Sequence, residues 1–346
     1  MEKEGRSLIF QIHRPLPHRA AECKSVSVPV FPTPLASSEL RPSFPTVRRI
    51  ADQSPPLCTH QVRVKLNRSL RMRNLGLHLN AWLVAAALVY LEVTGAVVAG
   101  QEGTPVALHR IVASAAAVLV IGLAIWLMAA EKRPWLRRLG WIVLTGVIAD
   151  AGLGEMSRTA SPFISMLHAF LAPLLVALVV AIAVGTSKSW QHPPICIPDK
   201  GWPPLRGVAR NTLILVVIQV ALGALFRYDF IGVMTHIIGA LIVAVFILTL
   251  VVLVTMMQEH PTLRPVAITL GVVIFVQIFL GLTVISMGSA KTNKTAALVF
   301  AVIHVVLGAI TLATTLVVTL ETWRCVVSGL DLVVADQPSE GNNPQP

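Results

Sequence analysis

This sequence predicts an all-α protein that crosses a membrane eight times, and three observations carry the prediction. Of its 346 residues, 55% are hydrophobic and 13% charged, with a mean hydropathy of +0.73, far from the balance of an ordinary soluble domain. The apolar residues gather into stretches of about 20, the length a helix needs to cross a bilayer core. Breakers part those stretches: Pro105, Pro134, Pro162, the Pro193/Pro194 and Pro203/Pro204 pairs, and Pro261 with Pro265.

Residues 1–71 come first and contain nine prolines, among them the run VPVFPTPL and the pair Pro55-Pro56. No sustained hydrophobic period runs through them, so a disordered basic tail is expected, with no apolar segment that would make a signal peptide. Two readings of the tail stand: a cytoplasmic extension, or sequence upstream of a true start at Met72, between Arg71 and Arg73. Mass spectrometry of the mature N-terminus separates them.

The eight spans are expected at 77–100, 108–130, 136–157, 163–187, 206–227, 232–257, 265–288 and 295–322. The longest connection, 188–205, divides them four and four. The chain thus reads as an N-terminal four-helix half at 72–187, a cytoplasmic linker at 188–205, a C-terminal half at 206–325 and a disordered tail at 326–346. Two pseudo-symmetric four-helix bundles are the expected architecture. Lys and Arg concentrate in the tail, in EKRPWLRR (131–138), in 188–210, in QEHPTLR (258–264) and at Arg324. That side is therefore cytoplasmic, and both termini lie there.

The net charge of +11 divides unevenly. Residues 1–71 hold 12 Lys/Arg against 5 Asp/Glu, or +7, and the remainder hold 16 against 12, or +4. A basic juxtamembrane tail sets orientation and touches anionic lipid, so the lipid bilayer is an expected partner and nucleic acid is not. Cys23, Cys58, Cys196 and Cys325 form no CxxC pair, and neither a disulfide nor a zinc site is expected.

The halves repeat a pattern. Odd spans carry a polar residue, three intervening residues and a glycine: Asp150 and Gly154, Gln219 and Gly223, Gln277 and Gly281. The first span has Leu91 and Gly95, with Glu92 beside them. Even spans each carry a histidine: His109, His168, His236 and His304. The offsets between halves are 236 − 109 = 127 and 304 − 168 = 136, as a duplicated unit leaves them. Close helix packing through small residues accounts for the glycines but not for the histidines.

All four histidines fall in the outer half of the membrane. The other six (His13, His18, His60, His78, His192 and His260) lie in the tail, in inner loops or at the inner edge of span one. An ionisable ring at membrane depth is costly and marks a site. A lone one is as readily a hydrogen bond between helices, but four on alternate helices point to two bis-histidine sites. Haem iron fits best, since facing imidazoles offer axial nitrogens and a four-helix bundle encloses a flat macrocycle. Zinc or copper recruits carboxylate or cysteine more often. Met166 and Met234 read as packing. Haem propionates need cations, and the outer face supplies Arg110, Arg158, Arg227, Lys291 and Lys294. Arg158 and Arg227 end odd spans at equivalent places in the two halves, which favours propionate pairing over snorkelling to the interface.

QVALGALFRY (219–228), VMTHIIGAL (233–241), VQIFLGLTV (276–284), AVIHVVLGAIT (301–311), ALHRIVA (107–113) and LHAFLA (167–172) together resemble the haem A synthase family of cytochrome oxidase assembly proteins, over about residues 78–325. The resemblance implies a haem b on His236 and His304, and a substrate site framed by His109 and His168. There the C8 methyl of haem O becomes the formyl of haem A by successive hydroxylations with oxygen from water, and electrons leave through the second haem. It also implies haem O synthase and oxidase assembly factors as partners, and leaves the oligomeric state open. The sequence departs from the family pattern in two places. Val106 stands where many members have glutamate, and the loop GQEGTP has no cysteine. A methyl oxidation wants a positioned base. Glu102 and Asp150 are the candidates, with Glu92 and Glu155 nearby; Asp150 and Glu155 read equally well as structural hydrogen-bonding groups. The alternative function is a diverged, non-catalytic dihaem membrane protein for electron transfer or haem delivery. A transporter is less well supported, because no matching pair of spans is broken mid-membrane.

Overall fold

The computed structural model describes residues 58–100, 106–157, 159, 161–199, 201–256, 260–289 and 293–328. Eight helices dominate: α1 Cys58–Gly100, α2 Val106–Ala130, α3 Pro134–Met156, α4 Pro162–Thr186, α5 Leu205–Arg227, α6 Val233–Met256, α7 Leu263–Ser289 and α8 Lys294–Cys325. All eight are long and apolar enough to cross a membrane, α1 through its Leu75–Gly100 part. The ends follow local chemistry. Proline opens α3 and α4 at the first helical turn, where its missing N–H costs nothing. Asn293 caps α8, its side chain accepting from the Thr295 N–H at 3.0 Å. After α5 the chain turns at Asp229, whose φ of 62° is left-handed, a region that Asp tolerates better than most side chains.

Seven helices begin and end within three residues of the expected bounds; α1 does not. It starts at Cys58 rather than near Leu77, so residues 58–71 are helical and not part of a disordered tail. Residues 58–74 contain neither proline nor glycine, and a helix needs no hydrophobicity to continue past a membrane boundary. Residues 1–57 lie outside the described residues. The expected C-terminal tail is corrected likewise. Val326–Ser328 forms a strand, β2, paired in parallel with β1 (Ile197–Asp199) of the linker, Ile197 opposite Val326. Residues 329–346 lie outside the described residues.

Within each half the helices close a ring: α1 against α2 and α4, α3 against α2 and α4; then α5 against α6 and α8, α7 against α6 and α8. The halves meet where α4 packs on α8, α1 on α8 and α4 on α5. Exchanging the halves maps this set of contacts onto itself, the relation expected of a duplicated unit. Each half has its own apolar core. One is built around Val84, Val120, Leu127, Leu136 and Val179, the other around Leu205, Ile247, Leu250, Leu270 and Val318. Ile111, Ile125, Val272 and Phe275 face outward and are more than half exposed, as a lipid-facing surface requires.

The end of the bundle away from the histidines is clamped by polar contacts. Arg324 donates to the carbonyls of Ser189 and His192, the Trp190 indole N–H donates to the buried Glu321 carboxylate, and Arg206 donates to the Trp323 carbonyl. Glu131 holds Arg133 through both oxygens, at 3.0 and 2.9 Å, and Arg133 reaches the Trp190 carbonyl. Burial alone would raise the Glu131 carboxyl, but the Arg133 hydrogen bonds and charge outweigh it and hold the group below its ordinary value.

Candidate functional site

His109, near the start of α2, and His168, near the start of α4, face each other with ring centres 6.5 Å apart and planes at 81°. His236 and His304, on α6 and α8, do the same, at 6.5 Å and 81°. His304 stands further along its helix than the others, and its ring still meets that of His236. The repeat seen in the sequence is thus a repeat in side-chain geometry.

Each ring rests on a glycine of the preceding helix. A methyl built on Gly95 would stand 3.1 Å from His109 Cε1; on Gly154, 3.1 Å from His168 Cε1; on Gly223, 3.4 Å from His236 Cε1; on Gly281, 3.1 Å from His304 Cε1. The glycines expected to serve helix packing are therefore the seats of the histidines. Glycine and histidine form one motif split across two helices.

The ring nitrogens are held from the same side. Thr94 Oγ1 donates to the Leu91 carbonyl at 2.8 Å, so it faces His109 Nδ1, 2.9 Å away, as an acceptor. His168 Nδ1 lies 2.9 Å from Asp150 Oδ1 and 3.1 Å from the Asp150 carbonyl. Both partners call for a proton on Nδ1, which leaves Nε2 as the basic nitrogen. In the other half, the Gln219 side-chain amide nitrogen lies 3.1 Å from His236 Nδ1 and donates to the His236 carbonyl, while its Oε1 is buried with no hydrogen-bond partner among the described residues. His304 Nδ1 is buried beside the Gln277 backbone, with no hydrogen-bond partner among the described residues. Phe226 stacks on His236, centres 5.8 Å apart and planes 16° apart.

The spacing bears on what each pair can hold. Two imidazoles binding one metal through nitrogens about 2 Å from it, with roughly 1 Å more to each ring centre, stand about 6 Å apart. The observed 6.5 Å fits that in both halves. Oxygen acceptors at the outer nitrogens, as His109 and His168 have in Thr94 and Asp150, are what metal-ligating histidines take as partners.

Other sequence candidates fall as follows. Asp150 is buried and serves His168. Glu155 is exposed and pairs with Arg110. Arg227 donates from Nη2 to the Ala96 carbonyl at 3.0 Å, tying α5 to α1 at the histidine end. Next to it, burial pushes the Tyr228 phenol up, opposed by the Arg227 charge. Glu102, Arg158 and Lys291 lie outside the described residues. Val106 is the first residue of α2 and brings no ionisable group to the site. Sequence reasoning missed Thr94, which breaks the polar-then-glycine spacing by standing directly before its glycine. It also missed the stacking of Phe226; neither has a signal in one sequence beyond proximity to a motif.

A family model described as cytochrome oxidase assembly protein matches residues 107–234. The stretch includes His109, Asp150, His168 and Gln219 and stops just short of His236. It supports the resemblance to the haem A synthase family drawn from the motifs. No curated protein matches the chain.

Proposed function

We propose that this chain is a haem A synthase-type membrane oxidoreductase, converting the C8 methyl of haem O to the formyl of haem A for cytochrome oxidase assembly. The observation that carries the reading is the doubled histidine pair, with one spacing and one angle in both halves. The family match supports it at the coarser level of a role in oxidase assembly.

On this reading His236 and His304 hold a resident haem b, and His109 and His168 frame the substrate haem. A bound haem b supplies a one-electron redox centre. The chain's own residues do the rest. Thr94 and Asp150 fix the tautomers of their histidines, and Asp150 is an orienting group because one of its oxygens is committed to His168. The glycines set ring depth. Arg227 would meet a propionate at the histidine end, which faces outward by the Lys/Arg bias, and its equivalent in the sequence of the other half, Arg158, is assigned the same role. Both termini then lie in the cytoplasm of a bacterial-type cell, and haem O synthase and assembly factors are the expected partners.

The test is extraction and chromatography of haem from protein purified out of cells co-expressing a haem O synthase. Haem A, or its hydroxylated precursor, beside haem B is the expected result. The second reading, a non-catalytic dihaem protein, is favoured by the apolar Val106 at the head of α2. Haem B with unoxidised haem O would select it.

A further inference from the structure

One buried acid has no part in the arrangement so far. Glu92 lies on α1, three residues before the glycine that seats His109, and is only 8% exposed. Its Oε2 is buried and has no hydrogen-bond partner among the described residues. Asp150, on α3, is close enough to act on it electrostatically, and no described cation is paired with Glu92. An unpartnered carboxyl at membrane depth is costly to keep.

The fold itself does not require it. Aligning Gly95 with Gly223 and Gly154 with Gly281 sets Val220 opposite Glu92 and Gln277 opposite Asp150. The C-terminal half builds the same helix ring and the same histidine pair with an apolar residue and an amide. Away from the histidine end, α1 is sealed by Leu77, Ala81, Val84, Ala85 and Leu88, all buried in the apolar core. Along α1 the acid therefore stands between that sealed stretch and the residues that hold His109. Thr94 and Gly95, within one helical turn of Glu92 on α1, touch His109, and Asp150, which acts on Glu92 electrostatically, holds His168.

We propose that Glu92 is the proton-accepting residue of the N-terminal site. The inference rests on the oxidase reading above. Oxidising a methyl carbon with water as oxygen source runs RCH3 + H2O → RCH2OH + 2 H⁺ + 2 e⁻. One C–H and one O–H bond break and one C–O bond forms. The electrons pass to an external acceptor of the quinone class. One proton goes to Glu92 Oε2, turning carboxylate into carboxylic acid, and the other goes to water. Glu92 returns its proton to solvent at the histidine end before the next oxidation.

The test uses the full chain, co-expressed with haem O synthase, as wild type, Glu92→Gln and Glu92→Asp. Glu92→Gln is expected to keep the haem content and the optical spectrum of the wild type. Its yield of oxidised haem should fall about 100-fold or more, with partial recovery in Glu92→Asp. Reduction-induced infrared difference spectra should show a carboxyl band that shifts in D2O and is missing in Glu92→Gln. Wild-type yield in Glu92→Gln, or an unchanged infrared band, overturns the proposal. Loss of bound haem in Glu92→Gln makes the side chain a packing group and also overturns it. Absence of oxidised haem from the wild type overturns the oxidase reading before any variant is compared; the infrared band then decides Glu92 alone.

Discussion

The two halves hold their histidine pairs in the same geometry and surround them with different chemistry. In the N-terminal half the nitrogens of His109 and His168 meet a hydroxyl and a carboxylate, and a second buried acid, Glu92, stands three residues before the glycine that seats His109. In the C-terminal half the equivalent helices offer two amides, Gln219 and Gln277, and an aromatic ring on His236. The two halves share what the backbone dictates, a glycine under each ring, and differ in what side chains decide, namely charge. An amide-lined pair is suited to holding a cofactor unchanged. A pair beside two carboxyls is equipped to move protons.

The largest effect should come from removing a ring. On the proposed reading, His236→Ala or His304→Ala loses one of two haems and leaves the helices inserted, as pyridine haemochrome content and circular dichroism would report. Full haem content in both variants would falsify the ligand assignment. Outer partners come next. Asp150→Leu and Gln219→Leu should each weaken haem retention about 10- to 100-fold, each in its own half. Asp150→Asn keeps a hydrogen-bonding group and should bind better than the leucine variant. Equal responses of the two halves to Asp150→Asn and Gln219→Glu would erase the contrast drawn between them.

Seats should matter less than partners. In Gly154→Ala and Gly281→Ala the added methyl stands 3.1 Å from a histidine Cε1, tighter than ordinary contact, so the ring must yield. A several-fold loss of haem affinity in the matching half is expected, read by titration of the apoprotein with haem; no loss in either would mean the rings have room to spare. The smallest effect lies at the far end of the bundle. Arg133 holds the Glu131 carboxyl below its ordinary value, so the unfolded chain binds more protons there in acid. The contact stabilises the fold above the ordinary carboxylate range and is lost as pH falls through the lowered value. Thermal unfolding of wild type and Glu131→Gln should therefore differ at neutral pH and converge in strong acid, without touching the haem content of either half.

How much of this was legible beforehand follows from the kind of force involved. Hydropathy and proline placement sufficed for eight helices, because lipid forces every backbone polar group to be satisfied within its own segment. Local pattern therefore decides the element, and the polar helix at 58–74 escaped because it has no such constraint to betray it. The four histidines stood out because a ring at membrane depth needs a reason. Which residues serve them was another matter. Asp150 and Gln219 followed from spacing, whereas Thr94 did not. A hydroxyl next to a glycine looks like any packing residue until α2 brings His109 within 2.9 Å.

By itself, then, the sequence determined the helices, their duplication and the histidines as the residues to explain, since these depend on composition and on periods along one chain. Only the tertiary structure decided that the glycines seat the rings, that the pairs share one spacing and angle, and that Glu92 is buried with no hydrogen-bond partner among the described residues. Those are relations between helices, set by how side chains of different segments meet when the rings close, and no period within one segment encodes them.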